Sequence, residues 1–432
     1  MGGLDRRSFL AGLCATVIGS GAQGNPGRIE IRQGRRHVIE GGREHRFADT
    51  IFEIPPGYSG EAIGLEIGPG ARVDVLRIRL APGARNIDRF LQIGPGVRIG
   101  LLDVEAAEQT DHHDHRLDGF VQISADDIRI ERMRFHRIDR CVTVQQAARL
   151  WIGSFECASY SKGFRIYGSE DVYIGRFHAH TASPHAVLRP GENGLTVSDS
   201  RRLRFPEIVV EDAAEHAIYL AGGGKLHSSD IRFGRVVSRR AGACGFKCKS
   251  PKNPSVGVSI DRLEVADSAA RALPDSKVAA LRVENCRDFQ VGSLETFRET
   301  RGHSCNIGLY LNGTPGFSLH GGHIDSPRAS MVMFEDRRRV DNAGITIAGL
   351  DGTRVGAHGY HVHHTRGQAL SGLEVDGGVL DGVAGDLVRI EGKVRIVPGT
   401  NHIRIAARNV GGALVRGAED ADVLDVQVSP GG

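Results

Sequence analysis

Two short runs, Ile218-Tyr219-Leu220 and Phe246-Lys247-Cys248, place apolar residues on either side of one expected to face outward, and equivalent positions are 28 residues apart. The same triplet recurs as Val121-Gln122-Ile123, Val142-Thr143-Val144, Phe164-Arg165-Ile166, Leu195-Thr196-Val197, Leu281-Arg282-Val283, Leu309-Tyr310-Leu311, Val332-Met333-Phe334, Tyr360-His361-Val362 and Val388-Arg389-Ile390, at spacings of 21 to 35 residues. A second triplet precedes it in most repeats and is often followed by glycine, as in Leu150-Trp151-Ile152-Gly153, Val172-Tyr173-Ile174-Gly175 and Ile231-Arg232-Phe233-Gly234. Alternation with period two marks half-buried strands, and no stretch carries the helical period that a crossover helix needs. Short strands with turns every few residues can bury one apolar face only by stacking coil upon coil. The pattern predicts one elongated all-β solenoid, with Leu195, Ile218, Phe246, Leu281 and Leu309 in a single buried ladder.

Composition agrees: 58 glycines, 6% aromatic and 40% hydrophobic residues suit many short strands joined by turns. Residues 23–60 hold two alternating runs closed by Gly and Pro and are expected to cap the open end of the coil, which then runs over 61–425 with a tail at 426–432. Residues 105–117 and 178–194 are longer than turns and are expected to project as loops that wall a groove.

Ahead of the cap, Arg6-Arg7-Ser8-Phe9-Leu10, a modest apolar run from Ala11 to Ile18 and small residues up to Ala22 resemble a twin-arginine export signal. That resemblance implies export in the folded state to the periplasm or beyond, with the twin-arginine translocase as partner. Nothing else is apolar for long enough to span a bilayer, so no stable membrane anchor is expected. Without residues 1–22 the chain loses Asp5, Arg6 and Arg7, and its formal charge falls from +3 to +2. A near-neutral body argues against bulk nucleic-acid binding. The six remaining cysteines form no C-x-x-C pair and are read as buried thiols; a disulfide is compatible with an exported protein, and spacing alone selects no pair.

Stacking sets equivalent residues of successive coils about 4.8 Å apart, so the triplet centres form a column. In order it reads Gln122, Thr143, Arg165, Thr196, Tyr219, Lys247, Arg282, Tyr310, Met333 and His361; two positions on, a parallel column includes Lys249, Glu284, Asn312, Glu335 and His363, and Asn193 and His216 lie two positions before their triplets. The middle of this face is basic and phenolic. The chain has only 7 lysines, three of them Lys247, Lys249 and Lys252. A lysine crowded by arginine can have its pKa drawn toward neutrality, which a guanidinium cannot, and so makes the better candidate base.

The repeat resembles the right-handed parallel β-helix of the pectin-lyase-like superfamily over residues 60–425. Lyases of that superfamily use Lys and Arg, some with calcium; a carboxylate cluster of their calcium-binding kind has no match here, and no cofactor is expected. Eliminative cleavage of a uronate polymer needs cations to neutralise the carboxylate, a base for the adjacent proton and an acid for the leaving oxygen. Lys247 and Arg282 can supply cations and base, and Tyr219 or His216 the acid. Arg165, Asn193, Lys249, Tyr310, Glu284 and Asn312 are the candidate contacts to an acidic polysaccharide. A non-catalytic glycan-binding or surface-structural coil is the alternative from another class. Hydrolysis competes less well. The complete polygalacturonase-type set of N-x-D, D-D and G-H-G motifs is absent, and Glu284 and Glu335, two coils apart at about 4.8 Å each, suit only an inverting enzyme. The sets Asp111-His112-His113-Asp114-His115 and His178, His180 and His185 are read as solvated polar loops, and His361, His363 and His364 as surface residues of an end coil, with no metal assigned.

Overall fold

A computed structural model describes residues 15–18 and 27–430, except 61–62, 111–118, 189, 223–226, 251, 274–275, 337–339, 365, 398 and 418–424. The described chain contains no helix; it winds as a right-handed parallel β-solenoid of about 13 turns. One face is a sheet of 16 short parallel strands that carries every triplet of the first kind. The rest of each coil is a longer strand, such as Ala148–Tyr160 or Glu170–Ala182, joined edge to edge with its counterparts in the coils before and after.

The recurring glycine after the second triplet marks where that longer strand bends. The pairing runs Trp151 to Tyr173 and Ile152 to Ile174, passes over Gly153 and Gly175, and resumes with Ser154 and Arg176. A Cβ on Gly175 would meet the carbonyl oxygen of Gly153 at 2.7 Å, too close for any side chain. The second triplet and the run after it therefore form one bent strand. The corner before them recurs with left-handed backbone at Arg149, Asp171 and Arg202. Neighbouring corners are stapled by ion pairs, Arg149 Nε to Asp127 at 2.5 Å and Arg202 Nε to Asp171 at 2.6 Å. Exposed pairs of this kind add little individually, but they set opposite charges opposite one another along the stack.

Leu195, Ile218, Phe246, Leu281 and Leu309 stack in register, all fully buried. Aromatic rings continue the filling from the other faces, with Phe205 on Phe233 at 5.1 Å and Phe155 on Phe177 at 4.9 Å.

Strand pairing also reaches into three segments outside the expected coil. Within the expected cap, Arg28–Glu30 pairs with Ile51–Ile54, which pairs with Arg72–Leu80, so this segment is built as coil strands. Ala15–Ile18, inside the expected leader, pairs with Arg36–Ile39; Arg6 and Arg7 lie outside the described residues. In the expected tail, Asp425–Pro430 pairs with His402–Val410. Strand pairing needs only a free edge and an alternating sequence. The six described cysteines are buried and free, and Cys248 Sγ and Cys286 Sγ lie 2.9 Å apart.

Candidate functional site

The triplet centres do form one column, Thr143, Arg165, Thr196, Tyr219, Lys247, Arg282, Tyr310, Met333 and His361, paired coil by coil. They are not uniformly exposed. Arg165 is open to solvent, Tyr219, Lys247 and Arg282 are half-buried, and Tyr310 and Met333 are buried. Two long connections cover the face. The first follows Glu170–Ala182, whose strand continues through His178 and His180 into what the sequence suggested was loop. The second links Ser255–Ala266 to Ala279–Glu284. They touch each other where Arg271 Nη1 donates to the Ala186 carbonyl at 2.9 Å. Beside them lies a cleft of 340 Å³ lined by Thr143, Lys162, Arg165, Gly191, Thr196 and Tyr219. A larger hollow of 530 Å³ lies over the corner before the second triplets; two of its acids are spent on structure, Glu170 pairing with Arg201 and Arg202 and Asp126 accepting from the Ala148 amide, while the buried Asp199 Oδ1 has no partner among the described residues.

Next to Tyr219, the lining residue from which the column continues out of the smaller cleft, a chain of polar contacts converges on Lys247. Its Nζ lies 2.9 Å from His216 Nε2 and 5.0 Å from the centroid of the Tyr219 ring. His216 Nδ1 accepts the backbone N–H of Cys244 at 3.0 Å. An amide N–H can only donate, so Nδ1 carries the lone pair and the imidazole proton sits on Nε2, where Glu215 Oε1 lies at 3.2 Å. That one Nε2–H faces both Glu215 Oε1 and Lys247 Nζ, and an unprotonated Nζ can share it as an acceptor whereas an ammonium cannot. The environment points the same way. Burial lowers the Lys247 pKa, and Arg282 and Lys249 lower it further against the opposing pull of Cys244 and Glu215. Tyr219 moves oppositely: burial, then the charges of Glu215 and Glu284, push its hydroxyl up to about 12. The surroundings thus ease the loss of a proton from Lys247 and hold the proton on Tyr219, the order that a base beside an acid requires.

Glu215 ties this chain to the wall. Burial would raise its pKa, but the hydrogen bond from His216 and the Gly191 amide, 2.7 Å from Oε2, keep it lowered. Glu215 escaped the sequence reading because it lies outside the triplet columns; its adjacency to His216 was the available signal.

The other candidates divide into two groups. Asn193 is buried and occupied, its Oδ1 accepting from the His216 amide at 3.0 Å and its Nδ2 donating to Thr196 Oγ1 at 3.1 Å. It positions the His216 coil. Arg165 remains open, its guanidinium 6.0 Å from the Tyr167 ring centroid, and Lys249 is half-buried two residues beyond Lys247. Arg282 lies 4.6 Å over the Tyr310 ring and donates from Nε to Glu284 at 2.6 Å. Burial works to lower the Arg282 pKa, yet Glu284, Cys244 and Tyr310 together raise it and the group stays charged. Tyr310 donates to the buried Glu335, which also pairs with Lys277, and Asn312 Nδ2 donates to the Tyr310 hydroxyl at 3.2 Å. Tyr310, Glu284 and Asn312 thus stand in a closed network beyond the open cleft, roofed by the second connection. Lys277, although one of the scarce lysines, belongs to no triplet, and only the folded chain brings it over the face.

The end-coil histidines are less exposed than expected. His364 is fully buried, and burial lowers the His361 pKa to about 4. His112, His113 and His115 lie outside the described residues. Comparison of the chain with protein-family models, with curated proteins and with solved structures finds no match. The functional reading therefore rests on fold and side-chain geometry.

Proposed function

We propose that this protein is a polysaccharide lyase that cleaves an acidic, uronate-containing glycan by β-elimination, and that it is exported to act outside the cytoplasm. The observation that carries the reading is the half-buried Lys247, its amine 2.9 Å from His216 Nε2 and next in the column to Tyr219, which lines the cleft. In this scheme Lys247 takes the proton next to the substrate carboxylate, and Arg282 offsets the charge that develops there. Tyr219, protonated at any physiological pH, delivers a proton to the leaving oxygen. Arg165 and Lys162 on the cleft lining attract further carboxylates. His216 and Glu215 hold the amine in place, and after product leaves, Lys247 returns its proton to solvent and Tyr219 regains one from it.

A flat, fully exposed basic face would favour a structural coil; the walls and the half-burial of Tyr219, Lys247 and Arg282 favour catalysis. Hydrolysis draws less support, because Glu284 and Glu335 are both buried and matched with cations. Incubation with a panel of acidic polysaccharides, following the ultraviolet absorbance of unsaturated uronate products, tests the reading. Reducing ends appearing without that absorbance would indicate hydrolysis instead.

Export has its own test. Replacing Arg6 and Arg7 together by lysine is expected to leave the protein in the cytoplasm, because the export receptor reads the arginine pair and not its charge alone. Cell fractionation measures this, and an unchanged periplasmic yield would remove the twin-arginine assignment.

A further inference from the structure

A second cluster of chemically capable side chains stands outside the cleft, on the longer strands. His178 and His180 alternate along Glu170–Ala182 and so share one face, while Glu156 stands opposite His178 on the preceding coil. One donor atom from each of the three lies within 4.8 Å of the other two. The two imidazoles are tilted against each other with centroids 4.7 Å apart, and His180 Nε2 is 3.7 Å from Glu156 Oε1. His180 Nδ1 is directed to the Thr181 hydroxyl at 3.4 Å, which leaves Nε2 for the centre of the cluster.

We propose that Glu156, His178 and His180 form a binding site for one divalent transition-metal ion, with zinc the best match. Two imidazole nitrogens and one carboxylate oxygen are a donor set for zinc, nickel or copper, whereas calcium and magnesium require a shell of oxygens that these residues do not provide. Three protein donors leave a fourth position for water. The spacing follows from strand geometry: residues two apart on one strand and a residue directly opposite on the next form a triangle whose corners need only rotamer adjustment to close on an ion. Arg134 Nε, 3.9 Å from Glu156 Oε2, competes for the carboxylate and must give way; its side chain is 54% exposed, so water screens it and it can swing clear. His180 precedes by three residues Ser183, where the first wall connection leaves the sheet. A bound ion would pin the root of that wall to the coil before it.

Full-length protein stripped with a chelator and titrated with Zn²⁺, Ca²⁺ and Mg²⁺ in a calorimeter tests the site. One zinc per chain is expected, with no uptake of calcium or magnesium here, and His180→Ala or His178→Ala should each weaken zinc binding by about tenfold or more, at least the loss seen when outer-shell partners of metal ligands are removed. Circular dichroism checks that each variant folds, and Glu156→Gln, which keeps the shape of the side chain, carries the test if a histidine variant does not. Co²⁺ in place of Zn²⁺ gives visible absorption that should vanish in the same variants. Absence of zinc uptake, or zinc binding undiminished in all three variants, would overturn the assignment.

Discussion

Lys247→Ala is expected to lower turnover on an acidic glycan by about 10²-fold or more, the scale of a lost general base. Stability should change by about 1 kcal/mol or less, because the side chain lies on the outer face of the sheet and its removal opens no cavity in the coil. Lys247→Arg restores the charge near substrate but cannot readily give up a proton, so it should recover binding and little of the rate. The pH dependence supplies a separate check. A base works in its unprotonated form, so kcat/KM should be low at acid pH and rise as Lys247 loses its proton. Because burial and Arg282 lower that pKa, the rise should be centred below the ordinary lysine value of 10.5. Tyr219, near 12, stays protonated over this range and should add no falling limb. Full activity in Lys247→Ala would take the residue out of the mechanism, and an activity that rises only near the ordinary lysine value would remove the case for a neutral amine.

Phe246→Ala, one residue away on the same strand, should do the opposite. The Phe246 ring is fully buried and meets Phe233 edge-on at 5.1 Å and Phe289 at 6.1 Å. Truncation removes a ring that three successive coils share, and the stacked backbone cannot collapse into the gap. A loss of about 3–5 kcal/mol is expected by urea denaturation, typical of large-to-small changes in a rigid core. In a solenoid each coil is supported only by its neighbours, so the defect should also split the unfolding transition into two near residue 246. A cost under about 1 kcal/mol would mean that the coil relaxes around the cavity. The contrast between adjacent positions, one costing rate and the other stability, follows from the alternation of a strand.

How much of this was legible in the chain depends on the kind of interaction. The apolar ladder from Leu195 to Leu309 could be read directly, since period-two alternation dictates which face is buried and the repeat dictates what stacks on it. The column holding Tyr219, Lys247 and Arg282 followed from the same register, as did the pairing of Lys249 with Glu284. Exposure along that column did not follow. Arg165 stays open and Tyr310 is closed over because connections of irregular sequence fold back across the sheet, and their course depends on contacts such as Arg271 to Ala186, separated by 85 residues.

The sequence by itself determined the all-β solenoid, its register and the residue types that share each face, because these depend on local periodicity repeated many times. Tertiary structure decided how each of those residues is buried and partnered. The protonation of Lys247 depends on burial, on an imidazole whose proton is placed by the amide of Cys244, and on Glu215 held by the Gly191 amide. The triangle of Glu156, His178 and His180 likewise exists only once two coils are stacked. Electrostatic and coordination effects act over a few ångströms between residues far apart in the chain, and one-dimensional spacing does not record such distances.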